Sequence, residues 1–271
     1  MRSAKELSLD KKIIEAICGL SSEGAALKAA RLLLADDEVQ ALQEYANTVS
    51  IKRLGFNDHG PVHMRTVALN GAIMMGLLRK AGIQTSLEKE EAGTFDDSLT
   101  AVFLASSLHD IGMGVGRHEH EFHSAYISIP IIDRILSQIF PADIDKRIRI
   151  RSIALEGISG HMGTHKIHSL EAGLVQVADG CDMQKGRARI PLVLTSGPRM
   201  GDIHQLSANS IESVSISEGK EKPIHIEVNM SGEVGLFQIE EVLLVKISAS
   251  PVKPYIELFA NVNNTDLRQY L

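Results

Sequence analysis

Cysteine is scarce in this chain: its 271 residues contain only Cys18 and Cys181, with no CxxC pair. That argues against a disulfide framework and against a thiolate zinc site. Cationic charge is short as well. Lys and Arg number 28 against 34 Asp and Glu, a formal net charge of −6. Coating a nucleic acid or lying on an anionic membrane needs the opposite balance, although a local basic cluster could still hold a phosphate. No apolar run approaches the roughly 20 residues of a transmembrane helix. The opening MRSAKELSLDKK leads into a polar amphipathic stretch where a signal peptide would have an apolar core, so the expected location is cytoplasmic. Internal repeats and low-complexity tracts are also missing. What is present is a hydrophobic content of 44%, ample for a sizeable core. The length suits one large domain, or one domain with an appendage.

The first two-thirds reads as helix after helix. LSLDKKIIEAICGL offers Asp10 as a start signal and Gly19 as a stop. SSEGAALKAARLLLADD and DDEVQALQEYANTVSIKRLGF space their apolar residues by three and four. In NDHGPVHMRTVALNGAIMMGLLRKAGI, Asn57 or Asp58 is the expected cap, Pro61 suits the first turn and Gly82 ends the helix. TFDDSLTAVFLASSLHDIG starts on capping residues Thr94 to Asp97 and is expected to stop at Gly112. Three more helical stretches follow: HEFHSAYISIPIIDRILSQIF, in which Pro130 is a candidate kink, PADIDKRIRIRSIALEGI and SLEAGLVQVADGCDM.

After about residue 190 the pattern changes. IHIEVNM alternates strictly, with Ile224, Ile226, Val228 and Met230 on one face, as a half-buried strand does. IESVSIS and YIELFAN also suit strands, and GLFQIEEVLLVKI puts Leu236, Ile239, Leu243 and Ile247 on one helical stripe. Residues 191–271 therefore read as a small α+β unit of order β-β-α-β, joined through the turn-rich RARIPLVLTSGPRMGD. Its exposed strand edge is a candidate for pairing two copies into a homodimer.

Histidine is the informative residue. Nine of the 11 lie between 59 and 168. His59 and His63 are four apart, which on one helix places them on one face. His109 and Asp110 stand at another helix end, His120 a short loop later, His161 in GHMG, and Asp179 and Asp182 in ADGCD. Imidazole nitrogen and carboxylate oxygen together suit Mn, Fe, Ni and Zn. A carboxylate has two oxygens and can bridge two ions, so Asp110 is the natural bridge for a two-metal site. Arg117, Lys185, Arg187 and Arg189 flank these motifs and are candidate clamps for a phosphate. Asp182 is expected to hold a ligand in place, while His118, His123, His165 and His168 are expected at the surface or behind the ligands.

The ordered motifs NDHGPVHMRTV, SLHDIGM, HEFHS, GHMG and VADGCDM, from about Asn57 to Met183, resemble those of the HD-domain superfamily of metal-dependent phosphohydrolases. The resemblance implies a mainly α fold, an HD-type helical bundle over residues 1–190 with the small C-terminal α+β domain attached. It also implies a first metal on His63, His109, Asp110 and Asp179, and a second that adds His120 and His161. It makes His59 a proton donor, as in cyclic-nucleotide phosphodiesterases of the superfamily. The implied cofactors are one or two divalent ions (Mn, Fe, Ni, Zn or Mg), and the implied reaction is attack of a metal-activated bridging hydroxide on a phosphate ester. A nucleotide or another small phosphorylated metabolite is the expected substrate. Two departures argue against cyclic di-GMP: the glycine-tyrosine-proline element is absent, and IGM replaces the usual glycine-lysine after the HD pair. The same ligand set also serves di-iron oxygenases of the superfamily, and a nucleotide-binding regulator without turnover is a third reading.

Overall fold

The computed structural model describes residues 2–185, 203–263 and 266–271. The fold is mainly α with a small C-terminal α+β domain. Its helices are α1 (Ala4–Leu20), α2 (Ala25–Leu34), α3 (Asp37–Thr48), α4 (Pro61–Lys80), α5 (Ser86–Lys89), α6 (Phe95–Leu108), α7 (His120–Ile139), α8 (Ile144–Gly160) and α9 (Leu170–Gly180). The site depends most on α4, α6, α8 and α9, which pack on one another, with α7 against α8. Helix α6 is the central element. Every residue from Phe95 to Leu108 except Asp96 is buried, the polar Asp97, Ser98, Thr100, Ser106 and Ser107 included, so it is a core helix and not a striped surface helix. Among the described residues, no helix is long and apolar enough to cross a membrane.

Several helix ends differ from the sequence expectation. Helix α1 starts on Ser3, whose side chain and that of Glu6 form a capping box. Asp10, the expected start, lies mid-helix and faces Arg65 instead, Nε to Oδ1 2.6 Å. Arg65 is buried, and it also donates to Gln43 and Gln40 of α3. One guanidinium thus ties α4, which carries His63, to α1 and α3. Asp10 is only partly buried and also meets Arg2, Nη1 to Oδ2 3.2 Å, so removing Arg65 would loosen this tie without leaving the carboxylate unpaired. Helix α4 is capped by Gly60 with Pro61 at its first position, while Asp58 accepts from the Gly60 amide and does not cap the helix. Helix α6 stops at Leu108, short of Gly112, because His109 becomes its C-cap. Helix α7 continues through Pro130, which sits on its exposed side.

Beyond the residues between 185 and 203, in which the expected domain junction lies, come α10 (Ile203–Ser210), β1 (Ile211–Glu218) and β2 (Ile224–Met230). A helical rod follows, with α11 (Leu236–Gln238), a π-helical turn Ile239–Leu243 and α12 (Leu244–Ala249). Strands β3 (Ile256–Val262) and β4 (Asp266–Gln269) complete a sheet of order β1-β2-β3-β4. The β1–β2 and β3–β4 pairs are antiparallel; β2–β3, joined by the rod, is parallel with Ile226 opposite Leu258. The expected β-β-α-β order therefore lacked α10 and β4. The rod was expected as one α stripe; Ile239, Leu243 and Ile247 are buried and Leu236 half-buried, but the π turn breaks its regularity. Strands β1 and β2 lie against α4, α12 lies against α9, and the buried residues of both parts form one continuous hydrophobic cluster.

Candidate metal centre

Five elements end or begin at one place. His63 lies in the first turn of α4, His109 caps the end of α6 and Asp110 follows it. His120 opens α7, His161 caps the end of α8, and Asp179 lies in the last turn of α9. All six are buried. The Asp110 carboxylate stands between two groups of imidazoles. Its Oδ2 is 3.1 Å from His63 Nε2 and 3.3 Å from His109 Nε2. Its Oδ1 is 3.1 Å from His120 Nε2 and 3.4 Å from His161 Nε2. Asp179 joins the first group, with Oδ1 3.2 Å from His63 Nε2 and 3.7 Å from His109 Nε2. His109, His161 and Asp179 form a further overlapping group, so the donors are contiguous.

The turn after the HD pair makes this convergence possible. A Cβ at Gly112 would lie 2.2 Å from the His120 carbonyl oxygen and 2.4 Å from the Ser124 nitrogen. Only glycine lets the two backbones approach so closely. The Gly112 amide then donates to Ser124 Oγ at 2.9 Å, and His120 is carried to Asp110.

The rings are oriented from behind. Nδ1 of His109 donates to the Ser106 carbonyl at 2.9 Å, and Nδ1 of His161 to the Ile158 carbonyl at 2.7 Å. In both cases the acceptor is a carbonyl three residues back, one that the helix terminus leaves without an intrahelical partner. His120 Nδ1 meets the Arg117 carbonyl at 3.1 Å and the Glu121 carboxylate at 3.3 Å. His63 Nδ1 is 2.7 Å from Asp182 Oδ2, so Asp182 touches the back of a candidate ligand as expected. With every Nδ1 hydrogen directed at an oxygen, each neutral ring presents the Nε2 lone pair to the centre.

These residues fit a metal. His63 and His109 place their Nε2 atoms 3.1 Å apart, and His120 and His161 theirs 3.2 Å apart. At that separation the two lone pairs share either a proton, as an N–H···N hydrogen bond, or a metal ion. Bonds of about 2.1 Å to one ion put adjacent donors about 3.0–3.4 Å apart in octahedral or tetrahedral geometry. Electrostatics agrees. Burial would raise the Asp110 and Asp179 carboxyls, yet both are held well below the ordinary carboxylate range, Asp110 chiefly by His109 and His59 and Asp179 chiefly by the Lys246 ammonium. Burial also lowers His161 to about 4, which keeps that ring neutral. His109 is raised: burial opposes its charge, but Asp110 alongside and Asp179 outweigh it.

The remaining candidates are distributed as follows. His59 is not on α4; it precedes the Gly60 cap, so the shared-helix-face argument for His59 and His63 fails. The ring nevertheless lies edge-on to His63, centroids 5.9 Å apart, and Nδ1 is held by the Asn57 carbonyl at 2.6 Å and by Ser50 Oγ at 2.9 Å. Arg117 is half-buried with its guanidinium carbon 5.6 Å from the Phe56 ring centroid, and its carbonyl supports His120. Lys185 is exposed and its amide donates to the Ile211 carbonyl; Arg187 and Arg189 lie outside the described residues. His118, His165 and His168 are exposed and His123 is half-buried. Sequence reasoning missed Lys246. This buried α12 residue donates from Nζ to Asp179 Oδ2. Its signal, a lysine beside Ile247 on an otherwise apolar stripe, was present in VLLVKI.

The HD domain family model matches residues 62–184, the stretch that carries all six convergent residues. The chain belongs to the HD-domain superfamily. An uncharacterized protein of Methanocaldococcus jannaschii, MJ1020, is 42% identical to this HD-domain chain over 230 residues, covering 85% of this chain and 86% of the relative. Ribonuclease Y of Clostridium tetani is 28% identical over 139 residues, which span 50% of this chain but 24% of that protein. No solved structure matches.

Proposed function

We propose that the protein is a metal-dependent phosphohydrolase that cleaves a phosphate ester of a nucleotide or other small phosphorylated metabolite at a two-ion centre. The observation that carries this reading is the placement of Asp110, with one oxygen toward His63 and His109 and the other toward His120 and His161. His63, His109, Asp110 and Asp179 would hold one ion; His120 and His161, with Asp110, the other. Bound divalent ions supply Lewis acidity, which offsets phosphate charge and brings water toward hydroxide near neutral pH. The chain's own residues do the rest. The Nδ1 partners fix the imidazoles before substrate arrives, so little reorganisation is needed. His59, pinned by Asn57 and Ser50 beside His63, donates a proton to the departing oxygen. Arg117, whose carbonyl supports His120, would pair with the phosphate.

The relative named ribonuclease Y makes a phosphodiester the first substrate to try. The net charge of −6 favours a small one over a long nucleic acid. The test is a panel of phosphate mono- and diesters assayed across Mn, Ni, Mg and Fe, with total metal counted in the same preparation. Turnover of at least one ester that requires metal supports the reading. Oxygen uptake by an iron-loaded protein that cleaves no ester would transfer the site to the oxygenase class, and nucleotide binding without turnover to the regulator.

A further inference from the structure

Among the described residues, the C-terminal domain brings a charged group, Lys246, to the centre. Lys246 is buried, and its Nζ donates to Asp179 Oδ2 while Asp179 Oδ1 faces His63 and His109. The stem runs between two ligand-bearing helix ends: a Cβ on Gly180, just after Asp179, would lie 3.2 Å from Lys246 Cδ, and one on Gly163, just after His161, 3.9 Å from its Cγ. The π turn Ile239–Leu243 precedes α12 and, by inserting an extra residue per turn, shifts the register in which the following side chains meet α9. Ile239, Leu243 and Ile247 supply the apolar anchoring of the rod. Burying an ammonium costs several kcal/mol before any pairing, and another apolar residue would dock the rod without that cost. The position of the charge therefore needs a reason other than adhesion, and Asp179 is the group it touches.

We propose that Lys246 is a positioning residue of the metal centre: by occupying Asp179 Oδ2 it leaves Oδ1 as the one oxygen offered to metal, and so makes the C-terminal domain part of the site. The assignment rests on the metal-centre part of the proposed function. It separates the two carboxylates by role. Asp110 turns an oxygen to each group of imidazoles, whereas Asp179 is restricted to a terminal position in the first. Without the ammonium, Asp179 is free to rotate its Oδ1 away from His63 and His109, and would offer a less well oriented ligand to the first ion.

The experiment is calorimetric titration of Mn2+ into demetallated full-length protein, for the wild type and for Lys246→Met, Lys246→Gln and Leu243→Ala. Leu243 packs at the same contact with α9, since a Cβ on Gly180 would lie 3.1 Å from its Cδ1. Loss of Lys246 should weaken one of two binding events by roughly 10- to 100-fold, the usual effect of removing a group that orients a ligand. Leu243→Ala should lower the melting temperature and leave both events unchanged. If Lys246→Met does not fold, Lys246→Gln, which keeps a donor without the charge, carries the test. Wild-type affinities in the Lys246 variant, or equal weakening by Leu243→Ala, would overturn the assignment and leave the hydrolase reading intact. Conversely, a two-ion wild type whose affinity depends on Lys246 but which cleaves no ester defeats the hydrolase reading and leaves Lys246 in place.

Discussion

At the residue scale the arrangement turns on which atom of each side chain faces the centre. Four imidazoles expose Nε2 because an oxygen stands behind each Nδ1: a carbonyl for His109, His120 and His161, and Asp182 for His63. His59 differs in that its ring lies one step outward, against His63 and on a loop. Under the proposed mechanism, a group in that place acts on substrate and does not hold metal. His59→Gln should therefore keep its full metal content while turnover falls by roughly 100- to 10,000-fold, the range for a lost general acid. Metal analysis beside steady-state kinetics checks this, and a variant that loses metal as well refutes the donor role. The ligand-type residues were legible because His and Asp in a fixed order leave a pattern in the sequence. Lys246 was harder to read: it lies 67 residues from Asp179, and a lysine on an otherwise apolar stripe does not say which group it meets.

Among the elements, the decisive feature is that helices terminate at the site. Helices α6 and α8 each end on the histidine that faces the centre, so the ring that could bind metal also satisfies a carbonyl its helix leaves open. The sequence showed helix, stop and glycine there, but placed the stop of α6 at Gly112. Gly112 instead serves the close crossing of the HD turn over α7. Gly112→Ala should cost about 3 kcal/mol or more through overpacking against backbone that cannot swing away, and should separate His120 from Asp110. Denaturant unfolding measures the first effect. Mn2+ stoichiometry reads the second, with loss of one ion expected before loss of both; an unchanged melting curve would mean that the crossing is looser than described. Caps were harder to read than helices. Ser3 and Gly60 outcompete Asp10 and Asp58 because Arg65 and the Gly60 amide engage those carboxylates.

For the whole molecule, the sheet and the helices share one core, and the unit at the C-terminus contributes charge to the centre. Alternation made β2 visible and burial of Ile256, Leu258 and Ala260 suited β3; the four-residue β4 was too short to show a period. A buried centre with carboxylates held ionised and His109 raised also sets a pH dependence for the molecule. In metal-free protein, the raised His109 stabilises the fold below its ordinary 6.5, and that contribution is lost as pH rises through the higher folded value. The depressed Asp110 and Asp179 act oppositely, stabilising above 3.8 and losing that contribution as pH falls through their low folded values. Metal must displace the His109 proton. The melting-temperature gain from saturating Mn2+ should accordingly grow as pH rises through and above 6.5, and a gain independent of pH would contradict this.

The most direct measurement is anomalous diffraction from crystals of the Mn2+-loaded protein, paired with Asp110→Ala. Two peaks on either side of the Asp110 carboxylate, one among His63, His109 and Asp179 and one beside His120 and His161, both lost in Asp110→Ala, are the predicted result. No peak between these side chains, or full occupancy without Asp110, would contradict the account.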